Sequence, residues 1–245
     1  AGNSSAVILP RAWLNQEVRI ELVKKNKETI LLETLEIAKR YISIDKVIGV
    51  YLVGSYARGE ETRDSDIDIL IISDDIDREM IKEGAYNILI VSKQLLKQKL
   101  ENDLFPVGQM VKEALALINS SYLESIEVKV SKKNVSWYLE TSKLKLKAIK
   151  EHLEHNSIDN RVIYTLVLRI RTLNIIEKLI KDKNYSKKEF LNLIKKVSGS
   201  LNAYNSYLAV KDDLDRENKT TKDEAGKLTA YLEKQLENVK NKLKR

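Results

Sequence analysis

Two aspartates one residue apart, Asp66 and Asp68, stand at the start of an apolar run in the stretch GVYLVGSYARGEETRDSDIDILIIS, residues 49–73. Residues at positions i and i+2 of a strand point to the same face, with roughly 6–7 Å between their backbone positions. Two carboxylates held that close repel each other unless a cation or a proton lies between them. Because Mg²⁺ and Mn²⁺ prefer hard oxygen ligands, the pair predicts a divalent-metal site. The alternative is a solvated strand end.

A glycine–serine pair, Gly54 and Ser55, precedes the aspartates in the same stretch. Glycine lets the backbone approach a ligand closely, and N–H groups at the start of a helix bind phosphate oxygens. The serine hydroxyl adds a further donor. A phosphate-binding turn beside a metal pair fits a metal-bound nucleoside triphosphate.

Apolar and β-branched runs on both sides predict the elements that must position these residues. Helical spacing predicts one or two amphipathic helices over 14–43, a short helical start at 55–60, and helices over 93–101 and 107–118. Ser92 is the expected cap of the helix over 93–101. The predicted strands are Val47–Val53, Ile67–Ile72, Tyr86–Val91 and a short edge strand at Ile126–Val130.

The pattern becomes almost wholly helical after residue 131, with helices expected over 136–155, 159–182, 186–197, 200–212 and 222–244. We therefore predict an α+β domain over residues 1–130 and a helical bundle domain over 131–245. Arg161, Arg169 and Arg171 interrupt an apolar helix here. They either line a cleft or form the solvated side of that helix.

Charge divides the chain in the same way. Residues 131–245 carry 26 Lys and Arg against 15 Asp and Glu, whereas residues 1–130 carry 17 against 21. The basic half predicts an anionic partner, with nucleic acid as one possibility, and a lysine-rich solvated surface is the alternative.

The composition narrows the class of protein. There is no cysteine, which excludes disulfides and cysteine-based zinc sites or nucleophiles. No apolar run approaches the roughly 18 residues of a membrane-spanning helix, and the first ten residues lack the pattern of a secretion signal. We expect a cytoplasmic protein that does not enter a membrane.

The string GSYARGEETRDSDIDIL, with a strand on each side, resembles the signature of the DNA polymerase β-like nucleotidyltransferase superfamily. It is especially similar to small prokaryotic members that carry a C-terminal helical domain. The close match covers about 25 residues, and the looser order of elements covers most of the chain.

The resemblance implies transfer of a nucleoside monophosphate, AMP from ATP, to an acceptor with loss of diphosphate. It implies that Asp66 and Asp68 ligate two divalent ions and that Gly54 and Ser55 hold the β- and γ-phosphates. Arg58 and Ser65 belong to the same string and are candidate nucleotide contacts, although a surface arginine is an equally good interpretation of Arg58.

The chain departs from the superfamily at its third carboxylate. The natural match on the next strand is Asn87, which can ligate a metal but cannot act as a base, and which also fits a solvated strand position. Glu83, just before that strand, is a possible substitute. The change therefore puts the activation of the acceptor in doubt.

Three hypotheses follow. The first is a nucleotidyltransferase whose acceptor is a small molecule, an RNA end or a protein side chain. The second is a catalytically weakened nucleotide-binding protein that acts as a regulatory or antitoxin-type partner. The third is a nucleic-acid binder that works through the basic helices. A homo-oligomer is compatible with each of them.

Overall fold

The computed structural model describes residues 7–18, 25–63, 65–155, 158–214 and 217–244. Within these ranges one five-stranded mixed sheet has the strand order β3-β4-β2-β1-β5. The strands are β1 Val47–Val53, β2 Ile67–Ser73, β3 Arg78–Glu83, β4 Tyr86–Ser92 and β5 Leu115–Ile118. Strands β2 and β4 run parallel, and the other neighbouring pairs run antiparallel.

Helices cover the sheet and make up the C-terminal half. They are α1 Lys27–Ala38, α2 Gly54–Arg58, α3 Lys93–Asn102, α4 Val107–Glu113, α5 Ser120–Ser125, α6 Lys132–His155, α7 Asn160–Ile180, α8 Lys187–Ser198, α9 Asn202–Lys211 and α10 Lys222–Lys242. This is an α+β fold, in which a mixed sheet with helices is followed by a helical C-terminal region. No helix in the described ranges is both long enough and apolar enough to span a membrane.

Strand β2 shows why both faces of the sheet are covered. Ile67, Ile69 and Ile71 alternate onto one face and pack with α1 residues in one hydrophobic cluster. Leu70 and Ile72 point to the other face and pack with residues of α3 and α4. Asp68 shares this second face, which we call the site face. The central strands, predicted at 47–53, 67–72 and 86–91, are confirmed to within one residue.

The prediction of a helix over 107–118 is wrong in its second half. Helix α4 ends at Glu113, and Leu115–Ile118 forms β5, which pairs with β1 at the edge of the sheet. A short apolar run such as LALI has no period that distinguishes a strand from a buried helix turn. The free edge of β1 therefore decides its conformation.

The edge strand predicted at Ile126–Val130 is not present, because this described segment pairs with no strand. The apolar residues that alternate in this segment are nevertheless packed inward, since Ile126, Val128 and Val130 join hydrophobic clusters. Strand β3 was not predicted, because its sequence REMIKE is charged and lacks β-branched residues apart from one isoleucine. The part of the predicted helix 14–43 at 19–24 lies outside the described residues, and α1 occupies only Lys27–Ala38.

The C-terminal helices follow the prediction closely. Side-chain caps begin several helices: Ser92 accepts from the Leu95 backbone N–H at 3.0 Å, and Asp159 accepts from that of Val162 at 2.8 Å. Residues of α6 to α10 share one large hydrophobic cluster, and Leu104 from the segment between α3 and α4 also belongs to it. The domain boundary between residues 130 and 131 stays a prediction.

Candidate active site

Strand register places four residues in one row across the site face. Asp68 on β2 lies opposite Val53 on β1 and beside Asn87 on β4. Lys82 on β3 is the partner of Asn87 on its other side. The amide of Asn87 donates a hydrogen bond to Oδ1 of Asp68 at 3.2 Å. The structure thus places Asn87, which the sequence predicted at the position of the third carboxylate, directly beside Asp68.

Gly54 touches the same carboxylate from the neighbouring strand. It follows β1 directly and has a φ of 69°. A Cβ at this position would lie 2.2 Å from Oδ2 of Asp68, which is closer than any real contact of that kind. Only glycine fits, because both the backbone conformation and the proximity of Asp68 exclude a side chain. The turn formed by Gly54 and Ser55, called the glycine–serine turn below, is therefore in direct contact with Asp68.

The surroundings of Asp68 disfavour its charge. Burial raises the pKa of this carboxyl, and the charge of Asp66 raises it further. The hydrogen bond from Asn87 and the positive charges of Arg58 and Lys211 lower it, but the net shift of the pKa is upward. A bound cation would remove this penalty. Lys211 ends α9, so the helical region also acts on the site.

Asp66 precedes β2 and is exposed. Among the described residues it makes no hydrogen bond or ion pair, and its charge raises the pKa of Asp68. Carboxylate oxygens of Asp66 and Asp68, with the amide oxygen of Asn87, are a set of hard donors that suits Mg²⁺ or Mn²⁺.

The two serines of the string differ in their surroundings. The Ser55 hydroxyl has no hydrogen-bond partner within the described ranges, and the side chain is partly exposed. The Ser65 hydroxyl is bonded within its own loop, where it accepts from the Thr62 backbone N–H at 2.9 Å and lies 3.1 Å from the Thr62 hydroxyl. Ser65 thus shapes the loop that leads to Asp66.

Glu113 is part of the site and was not identified from the sequence. Its buried carboxylate accepts from the Gly54 backbone N–H at 2.9 Å and from Nη1 of Arg58 at 2.6 Å. One N–H of the glycine–serine turn is therefore already satisfied by protein. Glu113 lies 59 residues beyond Gly54, at the end of α4. The only local signal was an acidic residue in the largely apolar segment VGQMVKEALALI.

Arg58 is held by two carboxylates. Besides Glu113, it donates from Nε to Glu60 at 2.9 Å. Burial by itself would lower the pKa of the Arg58 guanidinium, but Glu113 and Glu60 outweigh burial and raise it. Arg58 remains cationic and is near enough to affect the pKa of Asp68.

Glu83 does not replace the third carboxylate. It pairs in register with Tyr86, which belongs to the cluster on the opposite face, and its side chain forms an ion pair with Arg40. Within the described residues no group of three or more His, Cys, Asp or Glu is arranged to hold a metal ion. In that part of the chain, Asp66 and Asp68 are not joined by a third acidic ligand.

One comparison with known families identifies the class of the chain. A sequence model of the nucleotidyltransferase domain family matches residues 31–197, which is more than half of the chain. The chain therefore belongs to the nucleotidyltransferase domain family, a class of transferases.

The chain is similar to two solved structures at low sequence identity. A spectinomycin adenyltransferase from Enterococcus faecialis, solved with ATP and spectinomycin, is 15% identical, with a TM-score of 0.46, and the match covers 84% of this chain and 99% of that one. A nucleotidyltransferase-like protein from Exiguobacterium sibiricum 255-15 is 12% identical, with a TM-score of 0.38, and the match covers 87% and 77%. No curated protein matches the chain.

Proposed function

We propose that the chain is a divalent-metal-dependent nucleotidyltransferase that moves a nucleoside monophosphate, AMP from ATP, to an acceptor. The observation that carries the proposal is the contact between the glycine–serine turn and Asp68. A phosphate-binding turn and a metal-binding carboxylate must adjoin if one metal-bound triphosphate is to occupy both.

The residues divide into two groups by role. Asp66 and Asp68 hold Mg²⁺ or Mn²⁺, and Asn87 adds its amide oxygen after rotation of its side chain. The donor set fits such an ion, because burial and the charge of Asp66 both disfavour the free carboxylate of Asp68. When bound, the metal supplies charge neutralisation and lowers the pKa of an acceptor hydroxyl.

The glycine–serine turn and the cations around it bind the triphosphate. Ser55 donates its hydroxyl to a phosphate oxygen, Arg58 and Lys211 supply positive charge, and Ser65 orders the adjoining loop. An acceptor oxygen attacks the α-phosphorus, the bond to the bridging oxygen breaks and diphosphate leaves. Most of the catalysis is then positioning and charge neutralisation.

A second candidate function is nucleotide binding without transfer, by a regulatory or antitoxin-type protein. It is favoured by Asn87, which donates its N–H to Asp68 and cannot accept the proton of an acceptor. In the transfer reaction the acceptor proton must therefore pass to solvent or to a group outside the row of Val53, Asp68, Asn87 and Lys82.

A labelled-nucleotide assay separates the two candidates. The protein is incubated with Mg²⁺ or Mn²⁺, α-labelled ATP and pools of small hydroxyl compounds, RNA and protein. Transfer of label that is lost in Asp68→Ala and kept in Asp75→Ala supports the enzyme, because Asp75 is exposed and, within the described ranges, pairs only with Lys46. Tight binding without transfer to any pool supports the second candidate. Absence of both binding and transfer overturns the proposal.

A further inference from the structure

Two arginines lie over the ring of Tyr185. The guanidinium carbon of Arg58 is 5.5 Å from the ring centroid, and that of Arg171 is 5.2 Å from it. Arg58 ends α2, Arg171 lies on α7, and Tyr185 precedes α8. Tyr185 itself is buried, and a cation over an aromatic face is attracted most strongly where water is excluded. One aromatic ring thus connects the helical region to Arg58 at the end of α2.

Glu60 makes a second connection at the same place. Its Oε2 accepts from Nε of Arg58, and its Oε1 accepts from the Ser186 hydroxyl at 3.0 Å and from the Lys187 backbone N–H at 2.8 Å. The carboxylate therefore satisfies a donor at the N-terminal end of α8. Burial tends to raise the pKa of Glu60, but the hydrogen bonds from Arg58, Ser186 and Lys187 lower it overall.

Arg171 depends on the same ring. Within the described residues it has no carboxylate partner, and its one hydrogen bond is a long one of 3.4 Å from Nε to the Tyr185 hydroxyl. Burial on its own would lower the pKa of Arg171, and the neighbouring tyrosines Tyr185 and Tyr207 raise it. Removal of the Tyr185 ring would therefore leave two arginines without their shared contact.

Helix α2 needs such external support. It has only five residues, its preceding residue Val53 provides no side-chain cap, and the N–H of its first residue, Gly54, bonds to Glu113 on another helix. Helices this short are not stable by themselves, so tertiary contacts determine where α2 points. Tyr56 and Ala57 pack into the cluster on the face opposite Asp68, whereas Arg58 makes the contacts to Glu113, Glu60 and Tyr185.

From these contacts we infer that Tyr185, together with Glu60, is a positioning residue for the nucleotide. It fixes the guanidinium of Arg58 and, through α2, the glycine–serine turn. Nucleotide affinity then depends on a residue of the helical region that does not touch the nucleotide. This inference rests on the proposed function.

Calorimetry with Mn²⁺ and a nonhydrolysable ATP analogue tests the inference. Tyr185→Leu and Glu60→Gln should each weaken binding about tenfold, which is the scale of one desolvated cation–π contact or charged hydrogen bond. Tyr185→Phe keeps the ring and should bind within about twofold of the parent. The double variant should lose less than the product of the two single losses, because both residues act through Arg58.

Tyr231→Leu is the matched control, since Tyr231 lies on α10 and packs against the hydrophobic cluster of the helical region, to which no residue of α2 belongs. It should lower the melting temperature without a change in affinity. Amide hydrogen exchange provides a readout that a general loss of stability does not reproduce. Exchange in residues 54–60 should rise more in Tyr185→Leu than in Tyr231→Leu.

The outcomes separate this inference from the proposed function. If the parent binds no nucleotide, the proposed function fails and the positioning role fails with it. If the parent binds nucleotide and both Glu60→Gln and Tyr185→Leu bind it as tightly as the parent does, only the positioning role is overturned. If Tyr185→Leu does not fold, Glu60→Gln decides alone, because it keeps the shape of the side chain: weaker binding supports the inference and unchanged binding overturns it.

Discussion

Asp68 combines properties that a residue selected only for folding would not have. It is a largely buried carboxylate beside a second carboxylate, and among the described residues its single hydrogen bond comes from the amide of Asn87. Burial and the charge of Asp66 both make its ionised form unfavourable. Such a group costs stability in the free protein and gains it when a cation binds.

Asp68→Asn should separate binding from stability. The amide is nearly the same size as the carboxylate, and its oxygen can still accept from Asn87, but it carries no charge. We expect the metal-free variant to be at least as stable as the parent, and its affinity for Mn²⁺-ATP to fall by more than about tenfold. Thermal unfolding and calorimetry measure the two effects.

The control is Asp75→Asn, an exposed aspartate in the turn after β2. It should leave nucleotide affinity unchanged. Parent-like affinity in Asp68→Asn would remove this residue from the binding site.

Glu113 is the residue that sequence analysis missed, and the reason is physical. A string of neighbouring residues identified Gly54, Ser55, Asp66 and Asp68, because a strand, a turn and a second strand bring them together locally. Glu113 reaches the site only through the packing of α4 on the sheet. No spacing in one sequence encodes a contact of that kind.

Glu113→Gln should lower the free energy of unfolding by roughly 2–3 kcal/mol, the scale of a lost charged hydrogen bond, because Arg58 keeps Glu60 as a partner. It removes the charge opposite Arg58, and the loss of one member of a buried ion pair is costly. Nucleotide affinity should fall as well, because Glu113 also holds the backbone N–H of Gly54. Denaturant unfolding measures the stability. An equal loss in Glu101→Gln, which changes an exposed glutamate on α3, would contradict the assignment.

At the scale of elements, the connection from β1 to α2 decides the site. Gly54, the first residue of α2, and Gly59, the residue directly after its end, both have a positive φ, 69° and 64°. A Cβ at Gly59 would meet nothing within 4 Å, whereas at Gly54 it would collide with Asp68. The two glycines are therefore a natural pair for comparison.

Gly59→Ala should cost about 1–2 kcal/mol of stability through backbone strain alone and keep nucleotide binding. Gly54→Ala should cost more than Gly59→Ala and should abolish binding, because the methyl group displaces either the turn or Asp68. Denaturant unfolding and nucleotide titration give both quantities. Equal effects of the two substitutions would show that the close approach at Gly54 is unimportant.

The sequence predicted well those elements whose local residue pattern alone specifies a strand or a helix. Strands β1, β2 and β4 are apolar and β-branched, and the long helices after residue 131 keep a helical period over many residues. The prediction placed 115–118 in a helix and made Ile126–Val130 an edge strand, whereas Leu115–Ile118 forms β5 and Ile126–Val130 forms no strand. The prediction failed at both places because both are short apolar runs. Which of them joins the sheet depends on which one reaches the free edge of β1.

At the scale of the whole molecule, contacts across more than 100 residues connect the two predicted domains. Glu60 bonds to Ser186 and Lys187, and Lys211 affects the pKa of Asp68. In the sequence, the stretch NYS at 184–186 was only the boundary between the helices predicted over 159–182 and 186–197. Its second role arises because Tyr185 and Ser186 meet α2 and Glu60 in the folded chain.

The stability contributed by Glu60 should depend on pH. Its folded pKa is below the ordinary value, so its contribution is present above the unfolded pKa of about 4.3 and is lost as pH falls through the folded pKa. Glu60→Gln should therefore be less stable than the parent by about 1–2 kcal/mol at neutral pH, and the gap should close below about pH 4.

Denaturant unfolding of the parent and of Glu60→Gln across this pH range measures the difference in their stability. Glu140→Gln, an exposed change on α6, provides the reference. A gap that stays constant as the pH falls would mean that Glu60 acts without its charge.

The central claim is that one metal-bound triphosphate occupies both the aspartate pair and the glycine–serine turn. A crystal structure with Mn²⁺ and a nonhydrolysable ATP analogue, read with anomalous scattering, tests it most directly. We expect Mn²⁺ bound by Asp66 and Asp68, with phosphate oxygens against Ser55. Nucleotide bound elsewhere, or Mn²⁺ bound without Asp68, would contradict the account.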